Sequence, residues 1–139
     1  AALLQRGQKG LEAVFKSYSL SPNSPEPYRW GHWNMMAMKK FAHEVDLVAE
    51  LSVASLQRLF SECVEVGRES GGAEGKMSFA CFQLALVMIS QRVHKTPACP
   101  PAERLALLML RLSVTNGARD LGSAARSVLG SSGPSRRLP

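Results

Sequence analysis

Gly75-Lys76-Met77-Ser78-Phe79-Ala80-Cys81-Phe82 has the spacing of a calcium-binding loop without its chemistry. Such a loop has twelve positions, with a glycine at position 6 for the sharp turn and oxygen ligands at positions 1, 3, 5, 7, 9 and 12. With Gly75 at position 6, Met77 takes the apolar position 8, Ser78 takes position 9, and Cys81 takes position 12, where a bidentate glutamate would close the site. Positions 1, 3 and 5 become Ser70, Gly72 and Glu74, which leaves one carboxylate among the ligand positions. A hard dication needs six to eight oxygens, and a thiol is a poor ligand for it. The loop carrying Ser70, Gly72, Glu74, Ser78 and Cys81 is therefore expected to keep the turn, to bind no metal and to need no cofactor.

Other reactive arrangements fail on spacing. Ser70 to Met77 echoes a phosphate-binding loop, but that motif needs Gly at position 70 and Ser or Thr at position 77. His43-Glu44 begins a zinc-protease motif whose second histidine falls on Leu47. Cys81 and His94 lie on one predicted helix, where thirteen residues span roughly 20 Å, beyond hydrogen-bond reach. His32, His43 and His94 have no metal-ligand spacing with the cysteines. No acid, base and nucleophile constellation is found, so the chain is expected not to be an enzyme.

These residues sit on a helical pattern. A first helix is expected from Leu3 to about Tyr18, with Leu4, Leu11, Val14, Phe15 and Tyr18 at helical spacing and Gly7 and Gly10 weakening its first half. Pro22, Pro25 and Pro27 make Ser19 to Tyr28 a loop. A second helix is predicted from about Gly31 to His43, and Asp46 to Leu51 as a short extended link. Ser52 reads as the N-cap of a third helix, Val53 to about Val66. A fourth helix runs from Ser78 to about Val93 and a fifth from Pro101 or Ala102 to near Val114, with a short one over Ala118 to Leu129. The tail from Gly130 to Pro139 has too few apolar groups to fold alone. The reading is all-α: two helix-loop-helix units over about 3–44 and 52–93, a packing helix at 101–114, and a basic extension at 115–139. The fourth and fifth helices are apolar nearly all round and are expected to bury each other.

Composition agrees with this class. At 139 residues, 45% hydrophobic and 20% charged, the chain fits one globular domain. Its longest apolar runs have six residues against the roughly 20 of a membrane span, so no membrane is expected. Cys63, Cys81 and Cys99 form no CxxC pair and read as free thiols in a reducing compartment. The net charge of +6 is uneven: residues 45–75 carry −4 and the remainder +10. A basic periphery suits an acidic partner. Arg29, Trp30, Trp33, Lys39 and Lys40 form one candidate surface at the second helix. Aromatics beside arginine suit an interface and equally a core edge. Arg119, Arg126, Arg136 and Arg137 form a second surface. Aromatics interleaved along a basic element are too sparse for nucleic acid.

Four segments carry a resemblance. They are Phe15-Lys16-Ser17-Tyr18, then Trp33 with Lys39-Lys40-Phe41, then Leu51-Ser52-Val53 through Leu59-Phe60, then Met77 with Phe79, Phe82, Ala85 and Leu86. Over about residues 10–93 they resemble the tubulin polymerization-promoting protein family, whose core is a degenerate EF-hand-like helical domain. Where that family has a basic, glycine-rich C-terminal segment, this chain has a proline break, an apolar helix and an Arg-bearing tail. The resemblance implies a calcium-independent, non-catalytic structural or adaptor protein of the microtubule cytoskeleton. Its partners would be tubulin or axonemal proteins within a larger assembly, in the cytoplasm and the ciliary axoneme. The alternative is a calmodulin-like regulator that holds an amphipathic helix of its partner in a groove.

Overall fold

The computed structural model describes residues 2–25, 27–69, 71–73, 75–93 and 100–116, with 122, 124–126 and 129 beyond them. The chain is mostly helical, and no strand forms among the described residues. The elements are α1 (Ala2–Arg6), α2 (Gln8–Tyr18), α3 (Met35–Glu44), α4 (Val53–Arg68), α5 (Phe79–Val93) and α6 (Pro101–Asn116).

The expected first helix is split. Gly7 interrupts it between α1 and α2, in keeping with the low helix propensity of glycine. The second helix starts four residues later than predicted, because 31–34 is drawn into two backbone bridges, Leu20 with His32 and Trp33 with Met77. Asp46 to Leu51 is not extended. The Leu47 N–H donates to the Ala42 carbonyl at 2.8 Å and the Asp46 N–H to the His43 carbonyl at 3.2 Å. With Asp46 at φ 59°, this is a Schellman end to α3, which turns the chain into the next helix. Ser52 caps α4 as expected, its hydroxyl accepting from the Ser55 N–H at 3.1 Å.

α5 packs against both α4 and α6, which explains a helix with almost no polar face. Its Phe82, Ala85, Leu86 and Ile89 are buried, as are Leu105, Leu108, Met109 and Leu112 of α6. Ala124 and Ala125 belong to the same core. The rest of the predicted terminal helix and the tail lie outside the described residues.

Trp33 stands at the centre. It is fully buried, with its ring stacked on Phe15 at 5.4 Å and contacting Phe82 at 4.7 Å and Phe41 at 5.0 Å. Burying an indole requires a partner for its N–H, and the Phe15 carbonyl accepts it at 2.9 Å. Tyr18 closes the group edge-on to Trp33 at 5.4 Å. The aromatic pairs thereby tie α2, α3 and α5 to one tryptophan.

Candidate functional site

Two loops meet back to back. The Trp33 N–H donates to the Met77 carbonyl and the Met77 N–H to the Trp33 carbonyl, both at 2.9 Å. Two residues before each lies a glycine with positive φ, Gly31 at 92° and Gly75 at 73°. One residue after each lies a helix cap. Asn34 accepts from the Ala37 N–H at 2.9 Å, and Ser78 from the Cys81 N–H at 3.3 Å. Gly31-His32-Trp33-Asn34 thus matches Gly75-Lys76-Met77-Ser78 in its glycine, turn and cap.

Sequence reading placed the first loop at Ser19 to Tyr28 and missed this repeat. The signal was a glycine, a large apolar residue two positions on and a capping residue at the third. Numbered in the same frame, the first loop has Glu26, Tyr28 and Trp30 at positions 1, 3 and 5, Asn34 at position 9 and Ala37 at position 12. Glu26 is the one carboxylate among them, and a calcium loop needs six to eight oxygens.

The loops are also joined by side chains. The Tyr28 hydroxyl accepts from the Ala73 N–H across the pair. Gly72 makes room for it, since a Cβ there would lie 3.3 Å from the phenol oxygen and 2.9 Å from the Gly67 carbonyl. Lys76 places its Nζ 5.6 Å from the Tyr28 ring centre. His32 sits edge-on to Tyr28 at 5.9 Å, and its pKa falls below the ordinary value through burial first and the nearby Lys76 second.

Of the degenerate loop residues, Ser78 is a buried cap and Gly72 a packing contact, while Ser70 and Glu74 lie outside the described residues. Cys81 is buried with its sulfur against Gly67, where a Cβ would collide with it. Cys63 lies 3.6 Å from the Met88 sulfur, and burial is the main cause pushing its thiol up to about 12. Both are free cysteines that pack as small hydrophobes. Cys99 lies outside the described residues. A mostly apolar cleft of about 240 Å³ runs beside Cys81, between Pro27, Val66 and Leu84.

The first basic surface needs one correction. Trp33 is fully buried at the aromatic centre and presents nothing to a partner. Arg29 is exposed and Trp30 half-buried, with Arg29 5.2 Å from the Trp30 ring centre. Lys16 of α2, which sequence reading did not include, places its Nζ 4.0 Å from the same ring. Its separation of fourteen residues from Trp30 hid the pairing. Lys39 and Lys40 are exposed on α3. Lys40 borders a groove of about 480 Å³ with Ser17, Tyr18, Leu20 and Met36. In that groove the Tyr18 hydroxyl donates to Glu44 at 2.7 Å, and burial followed by this carboxylate pushes the phenol pKa up. Of the second surface, Arg126 is exposed, while Arg119, Arg136 and Arg137 lie outside the described residues.

Among the described residues, no group of three or more His, Cys, Asp and Glu side chains converges as a metal site would require, and no helix is long and apolar enough to cross a membrane. No family model, curated protein or solved structure matches the chain.

Proposed function

We propose that this chain is a non-catalytic, calcium-independent adaptor built on a pair of EF-hand-like units, and that it docks an acidic partner on the basic surface around Trp30. The supporting observation is the reciprocal Trp33–Met77 bridge between two loops that share a glycine turn and a helix cap. Such a pairing is what holds two calcium loops together. Here each loop keeps one carboxylate, Glu26 and Glu74, and Tyr28, Trp30, Ala37, Gly72 and Cys81 at other ligand positions do not suit a hard dication. The core is held by the aromatic cluster in place of an ion.

On this reading the working surface is cationic. Lys16 and Arg29 flank the Trp30 ring, and Lys39 and Lys40 are further exposed cations on α3. A carboxylate-rich segment would gain charge-assisted contacts to the cations and ring contact with the indole. The acidic surface of tubulin has that chemistry, and the family resemblance named above suggests it. The cytoskeleton, the axoneme included, is then the place of action.

Microtubule co-sedimentation at low and raised salt tests the proposal. The chain is expected to pellet at low salt and to release as screening increases. Reversing Lys16 and Arg29 to Glu should weaken pelleting at least tenfold. Calorimetry with calcium should give no heat of binding at micromolar concentrations. Absence of pelleting at either salt refutes the tubulin assignment, and micromolar calcium affinity favours the regulator alternative.

A further inference from the structure

Two helical stripes of opposite charge share one spacing. On α3, Met36, Lys39, Lys40 and His43 are all exposed. On α4, Glu62, Glu65 and Val66, with Glu69 at the C-cap, are all exposed at the same offsets. Residues at i, i+3, i+4 and i+7 fall on one face of a helix, here about two turns or roughly 10 Å long. Each stripe carries one apolar residue that the fold leaves uncovered, Met36 at 77% and Val66 at 53% exposure. Arg68 reaches Glu65 at 3.3 Å, so Glu62 and Glu69 supply the net charge of the α4 stripe.

Both stripes border surface depressions. The α3 stripe edges the groove that holds Leu20, Met36 and Lys40. The α4 stripe lines a shallow one of about 510 Å³ between Ser61 and Glu69. The opposite faces of both helices are buried, α3 through Met38 and Phe41 and α4 through Leu59 and Cys63. Neither outward face is covered by another described element to the extent that its apolar residue is buried.

We infer that the α3 stripe of one copy docks on the α4 stripe of a second copy. Charge complementarity chooses the occupant: two lysines face two glutamates that make no ion pair among the described residues, with Met36 and Val66 giving each side an apolar contact. The two patches differ, so the contact is heterologous, and each bound copy still offers one stripe of each sign. Head-to-tail assembly follows. An interface of two short stripes is small, so the association is weak and salt-sensitive. This goes beyond the adaptor reading and does not depend on tubulin, although Lys39 and Lys40 serve both.

Sedimentation velocity of the full chain without tubulin is the test. At about 20 mM salt the wild type should grow in mass with concentration up to about 1 mM, and at about 500 mM salt it should not. Lys39→Glu with Lys40→Glu leaves both stripes acidic, and Glu62→Lys with Glu69→Lys leaves both basic. Each double variant alone should associate at least tenfold more weakly, with its helical circular dichroism unchanged. Mixed one to one, they should assemble again, because each then meets a stripe of opposite sign. A wild type that stays monomeric at low salt, variants that associate as before, or a mixture that stays monomeric would each overturn the inference. Calcium heats and microtubule pelleting are read separately, so the adaptor reading can fail without this one.

Discussion

The two loops share a frame but are held differently. In the first, Gly31 is walled in. A Cβ there would stand 2.6 Å from the Leu20 carbonyl oxygen and 2.8 Å from the Ser19 Cβ. The Leu20–His32 bridge, with bonds of 2.8 and 3.0 Å, draws that wall tight. In the second, a Cβ on Gly75 would meet nothing within 4 Å. One turn is therefore fixed by crowding and the other by its backbone and by Tyr28. A glycine at the same loop position thus answers two different demands: φ alone at Gly75, φ and space at Gly31.

That contrast gives the largest expected difference. Gly31→Ala adds a backbone collision to a strained φ and should cost about 3 kcal/mol or more. Gly75→Ala faces only the left-handed penalty of about 1–2 kcal/mol. Urea unfolding followed by the fluorescence of Trp33 and Trp30 measures both. Equal losses would show that the Leu20 wall yields and that the two turns are held alike.

The next effect tests what holds the second loop. Tyr28→Phe removes the acceptor of the Ala73 N–H and keeps the ring under Lys76. The expected loss is about 1 kcal/mol, with faster hydrogen exchange at the Ala73 amide. Unchanged exchange at Ala73 would mean that the phenol does not organise this loop. The contrast would then rest on backbone geometry alone.

The helical framework was legible because periodicity reports burial. Val53, Leu56, Leu59, Phe60, Cys63 and Val64 share one helical spacing on α4, and all but Val53, exposed in the first turn, are buried. The second loop was legible because Gly75, Met77 and Ser78 keep their spacing. The first was obscured by its prolines and by Gly31, which reads as a helix start when the partner loop is unknown. Only the pairing of Trp33 with Met77, 44 residues apart in the chain, reveals its end. The same blindness put Trp33 on a candidate surface. Its neighbours Arg29 and Trp30 are polar or half-exposed, and nothing local marks position 33 as the meeting point of three helices. Lys16 was missed for the converse reason, since its indole partner lies on another element.

The smallest effect lies at the two basic residues, His32 and Lys76, that the pairing makes equivalent. His32 and Lys76 each follow the loop glycine, and each stands beside the Trp33–Met77 bridge. Burial first and Lys76 second hold the His32 pKa below its ordinary value. The folded chain then binds this proton less readily than the unfolded chain, so acidification favours unfolding. The contribution of neutral His32 is complete above the ordinary histidine range, declines as pH falls through about 6.5, and levels off below the lower folded value. His32→Gln should therefore flatten the dependence of stability on pH between about 7 and 5. Lys76→Gln should flatten it less, because it removes only the second cause. Urea midpoints across that range, with the wild type alongside, read both slopes. A Lys76→Gln effect of more than half that of His32→Gln would reverse the order of causes and make charge across the loop pair, rather than burial, the dominant influence on His32.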